Sequence, residues 1–143
     1  MSRVINRQGP GKIRNRERRT IAELLRHLMA KRELDSEARD MAAALVFSLE
    51  KIADSVEQTT EAWEKRNYYL KADRFRLEWE WTRPMAKRLR EIILHGDWHR
   101  LPYLLAELAP RFADIRVTRM TRQPITWKAA YTLLLAQDTQ ETT

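Results

Sequence analysis

The chain has 143 residues, with 27 lysines and arginines against 20 acidic residues, a net charge of +7 and no cysteine. That length suits one domain, and a composition 43% hydrophobic and 33% charged lies far from the apolar-poor sequences that stay unfolded. The lack of cysteine excludes disulfides, thiolate zinc sites, iron-sulfur clusters and thiol nucleophiles together. The expected location is cytoplasmic, since no stretch approaches the ~20 apolar residues of a membrane span and no secretory apolar run is found.

Residues 1–19 open the chain with Arg3, Arg7, Lys12, Arg14, Arg16, Arg18 and Arg19 against the single acid Glu17. They read as a flexible basic arm, loosest at Gly9, Pro10 and Gly11. Ile21, Leu24, Leu25, Leu28 and Met29 then recur at three and four residue spacing, one face of a helix over 14–32. Its stable part is expected to begin at Thr20, because Thr20 and Glu23 match the capping-box pattern. Glu33, Leu34 and Asp35 form a short connection, which makes neighbouring helices antiparallel, and Asp35 or Ser36 is placed to cap the next one.

The clearest periodic signal is Met41, Leu45, Leu49, Ile52, Val56, Thr59 and Trp63, a bundle seam on a helix reaching residue 66, roughly 45 Å long. Beside it run Glu50, Asp54, Glu57, Glu61 and Glu64 at helical spacing. This acidic row reads either as a solvated face or as the receiver of a basic segment, the chain's own arm or a partner's. Asn67 tolerates the left-handed conformation and is the expected turn; the alternative is one uninterrupted helix over 36–82.

Segment 68–95 is apolar on two faces, Tyr68, Ala72, Phe75 and Trp79 on one and Leu70, Leu77 and Trp81 nearly opposite. It is therefore expected to be sandwiched in the bundle or to meet a second copy of the chain. Trp79 and Trp81 cannot both point inward on an unbroken helix, which makes Tyr68, Phe75, Trp79 and Trp81 the candidate partner-binding residues. Pro84 predicts a kink or break over 82–84, Met85, Leu89 and Ile92 resume the core face, and Gly96 ends the helix. Leu101, Leu104, Leu105, Leu108 and Phe112 mark a short helix within 97–113, disturbed by Pro102 and Pro110. Segment 114–123, where Ile115 and Val117 flank Arg116, is the one stretch expected to be irregular. Pro124 then opens a last helix to residue 136, burying Trp127, Ala130, Tyr131 and Leu134, and 139–143 is a tail. The expected fold is all-α, an antiparallel helical bundle of four to five helices over 20–138 with a basic N-terminal arm ahead of it.

Catalytic and metal chemistry find little support in these residues. His95, Asp97 and His99 carry ligand side chains, but Gly96 breaks any face the two histidines would share. The acidic row lacks the Glu-x-x-His spacing of di-metal bundles, and no nucleophile elbow or phosphate loop occurs. No enzyme activity, metal, cofactor or small-molecule substrate is expected. Charge is the stronger signal. Beyond residues 1–19, positive charge collects in 111–128, where Arg111, Arg116, Arg119, Arg122 and Lys128 face one acid, Asp114. Concentrated cations attract polyanions by releasing condensed counterions, so these residues are the candidate contacts to an RNA or DNA backbone. The alternative is a protein-protein adaptor or homo-oligomeric scaffold with no nucleic-acid role.

Overall fold

A computed structural model describes residues 9–142, and within them the chain is an all-α helical bundle. Helix α1 spans Pro10–Ala30, α2 Ser36–Lys65, α3 Tyr69–Trp79, α4 Thr82–His95, α5 Leu101–Leu108 and α6 Ala130–Thr142. Among the described residues no helix is long and apolar enough to cross a membrane.

Helix α2 is the axis. Met41, Leu45, Leu49, Ile52 and Val56 of its seam are all buried, and α1, α3, α4 and α6 each pack against it. Asp35 caps its start, accepting the Ala38 N–H at 2.8 Å, as its sequence position implies. The chain turns back after Lys65 through Asn67, whose φ of 65° lies in the left-handed region, so 36–82 is two helices and not one. The antiparallel run of α2 against α3 and α4 is visible in its ion pairs: Arg76 with Glu64, Arg83 with Asp54 and Arg90 with Glu50. As the chain descends one side, its partner rises on the other.

Several boundaries differ from the sequence-based expectation for identifiable reasons. Helix α1 begins at Pro10, whose fixed φ suits a first helical turn, ten residues before Thr20. Residues 10–19 are therefore helix and not flexible arm. Arg14 anchors them, donating to the hydroxyls of Ser55 (3.2 Å) and Thr59 (3.3 Å) on α2 while lying over the Phe75 ring. Thr20 and Glu23 form no capping box, since Thr20 donates to the Arg16 carbonyl within an established helix. Met29 is exposed, not part of the core face. The break between α3 and α4 falls at Glu80 and Trp81, with Pro84 already inside the first turns of α4.

Gly96, at φ 68°, closes α4 as the left-handed cap. The 97–113 helix is divided into α5 and two flanking 3₁₀ turns. Pro124 opens only a 3₁₀ turn, Pro124–Thr126; Ala129 at φ 62° redirects the chain before α6, which continues to Thr142 through most of the expected tail.

Candidate nucleic-acid interface

Segment 114–123 carries no regular secondary structure, so its backbone N–H and C=O groups need partners elsewhere. Helix α1 supplies them. Arg19 donates to the Arg116 carbonyl at 3.0 Å and Arg26 to the Val117 carbonyl at 2.7 Å. Glu23 receives the backbone N–H groups of Thr121 and Arg122 and the Thr121 hydroxyl. Arg122 in turn donates to the Thr20 hydroxyl at 2.9 Å and the Arg16 carbonyl at 3.1 Å, and Arg18 grips Asp114 through two bonds of 2.7 and 2.8 Å. The segment is thus a strap fastened along α1 at both its ends and its middle.

Lys12, Arg16, Arg19, Glu23 and Arg26 follow one another at steps of four and three, a single helix stripe. Lys12, Arg16 and Arg26 are exposed and Arg19 is half-buried. Glu23 stands in the same stripe yet is only 1% exposed, because the strap crosses the outer face of α1 over it. Burial pushes the Glu23 carboxyl up, but the bonds from Thr121, Arg19 and the strap N–H groups outweigh this and hold it down at about 2. It therefore stays ionised and offsets the cations around it. The Asp114 carboxyl is likewise held below its usual range by Arg18.

The strap brings together the two basic segments, about a hundred residues apart in the chain. Residues 9–30 and 114–123 carry nine lysines and arginines against three carboxylates, whereas 31–113 balance fifteen cations with fifteen acids. The surplus charge of the described chain therefore lies on these two segments. Its members are not equivalent. Arg16, Arg18, Arg19 and Arg122 each meet a carboxylate, and Arg14 is half-buried against α2 and α3. Among the described residues the exposed side chains of Lys12, Arg26, Arg116 and Arg119 meet no carboxylate, and Arg26, His27 and Arg119 line a hollow of about 230 Å³ beside Glu23.

No protein-family model matches the chain, and no match was found among curated proteins or solved structures. The site's chemistry must be read from its own residues.

The remaining candidates fall elsewhere. Arg3 and Arg7 lie outside the described residues. Arg111 is exposed over the Trp81 ring, and Lys128 stands near the start of α6 with no described contact to α1. Trp79 and Trp81 are both half-buried and stack on each other at 6.1 Å, Trp81 reaching Phe112. Both turn inward because the helix is broken between them. Phe75 packs edge-on against Trp63, while Tyr68 is exposed. The acidic row is met from within the chain, Glu50, Asp54, Glu57 and Glu64 by arginines of α3 and α4, and not by residues 10–19. His95 and His99 are exposed on either side of Gly96. The residue that sequence reading missed is Glu23; its signal was a lone acid at helical spacing in a cationic stripe.

Proposed function

We propose that the protein is a non-enzymatic module that binds the backbone of nucleic acid along α1 and the strap. The observation that carries this reading is the convergence of the two basic segments, where, with Arg14 turned to α2 and α3, eight cations stand against three carboxylates. Arginine forks and exposed lysines suit phosphate oxygens, and contacts of this kind set position without reading sequence. Glu23 ties the strap to α1, so the backbone positions of the open cations keep a fixed arrangement.

The test is polarisation binding of a labelled oligonucleotide at two salt concentrations, using the wild type and a Lys12→Glu, Arg116→Glu, Arg119→Glu variant. These three side chains take no part in fastening the strap, so the fold is expected to survive, as a far-UV melt would verify. Affinity should fall with added salt, and by about tenfold or more in the variant. Binding that ignores both changes rules the reading out.

A specific observation favours one second reading, a protein-interaction or self-assembly surface on α3. Leu70 and Leu77 are 63% and 65% exposed on its outer side, next to an open hollow of about 770 Å³ whose lining includes Trp63, Tyr69 and Phe75. Light scattering decides it: association that a Leu70→Lys, Leu77→Lys variant abolishes supports this reading, and a monomer at all concentrations removes its self-assembly form.

A further inference from the structure

Resting on the nucleic-acid reading above, we infer that the ligand of this face is a duplex, gripped by its backbone with neither strand's bases read. Three observations converge. First, residues 9–30 and 114–123 contain no phenylalanine, tyrosine or tryptophan. Three rings of neighbouring elements are already covered by arginines of the chain itself, Phe75 by Arg14, Phe112 by Arg18 and Trp81 by Arg111. Single-strand binders draw much of their affinity from rings on which bases stack, and the one ring this face offers, the His27 imidazole, is engaged with Glu37 at 3.3 Å.

Second, the strap lies across α1. A bare helix with its side chains is about 10–12 Å wide and just fits a major groove about 12 Å wide. Here the outer side of α1 carries the backbone of residues 116–122, bonded to Arg19, Glu23 and Arg26, while its inner side, Ile21, Leu24, Leu25 and Leu28, is buried in the core. The assembly is too broad to enter the groove, so its cations rest on the phosphate rails and base edges stay out of reach.

Third, the backbone positions that carry the cations are fixed. Lys12 to Arg26 lie on one straight helix over roughly 21 Å, and Arg116 and Arg119 are held beside it by the strap's bonds. A rigid row suits a rigid rod whose phosphates give one charge per ~1.7 Å of axis, and each phosphate neutralised releases more counterion from duplex than from single strand. A flexible strand would have to be ordered to follow it.

The experiment measures full-length protein by polarisation at low salt against labelled DNA of one length: a mixed-sequence duplex, each of its single strands, and all-A·T and all-G·C duplexes. The inference expects the duplex to bind about tenfold or more tighter than either strand, and the A·T and G·C duplexes to agree within roughly threefold. A single strand that matches or beats the duplex, or leads to a gap below that size, overturns duplex preference while leaving backbone binding intact. Discrimination between the A·T and G·C duplexes beyond about threefold overturns the backbone-only grip. Absence of binding to every oligonucleotide sinks the underlying nucleic-acid reading instead.

Discussion

Glu23 does more for this structure than any other charged residue, since one buried carboxylate holds two segments that sequence separates by almost a hundred positions. Glu23→Gln keeps the shape but replaces an acceptor oxygen with an amide donor facing N–H groups, and it leaves Arg19 and Arg122 without their shared counter-charge. Breaking a buried pair costs about 3–5 kcal/mol and a buried unsatisfied donor about 1–3, so a loss of roughly 3 kcal/mol in urea unfolding is expected. The pH dependence has a definite sign. A carboxyl at about 2 in the folded protein and 4.5 unfolded contributes stability that is complete above pH 4.5 and is lost as pH falls from there through about 2. Wild type and variant should therefore converge in stability across that window, and parallel curves would contradict the clamp. Asp114 is the contrast: its carboxylate is 63% exposed, and Asp114→Asn should cost under about 1 kcal/mol despite the two-pronged grip of Arg18.

At the scale of elements, Arg76, Arg83 and Arg90 recur every seven residues and meet Glu64, Asp54 and Glu50, so one face of α3 and α4 zips the acidic row of α2. Their exposures rank their worth. Arg90 is 18% exposed, also lies over the Phe47 ring and donates to Gln137, whereas Arg83 is 49% exposed. Arg90→Ala should cost about 1–2 kcal/mol and Arg83→Ala less than about 0.5, checked by urea denaturation of both; equal losses would mean exposure does not set the value of these pairs. Gly96 tests the backbone alone. A Cβ there would meet nothing within 4 Å, so the cost of Gly96→Ala is the left-handed φ itself, about 1–2 kcal/mol.

These elements also explain what sequence could reveal. The α2 seam announced itself because its large apolar side chains recur at the helical period, with small alanines filling the other buried positions at 42–44, and Asn67 and Gly96 did so because few residues accept their φ. The first three turns of α1 did not, for Ile13 is the only large apolar side chain among residues 10–19 and the contacts that secure them reach residues 41 to 106 positions away. The strap was legible as irregular chain, but its destination was not: that depended on which acid its N–H groups would find.

For the whole molecule, the charge pattern converts into a measurable quantity. Residues 31–113 are electrically balanced, so long-range attraction of a polyanion comes from α1, the strap and whatever residues 1–8 add. Each phosphate neutralised on duplex DNA contributes about −0.9 to the slope of log affinity against log salt concentration. Arg116→Ala with Arg119→Ala removes two open cations without touching a fastening bond, because only the Arg116 carbonyl, not its side chain, is used by the strap. The slope should become shallower by about 2, with the loss of affinity largest at low salt and vanishing as salt rises. Leu70→Lys with Leu77→Lys, on the exposed side of α3, should leave that slope unchanged or slightly steeper. A slope indifferent to the arginine pair but altered by changes on α3 would relocate the binding face, and would turn the surface made by α1 and the strap into packing alone.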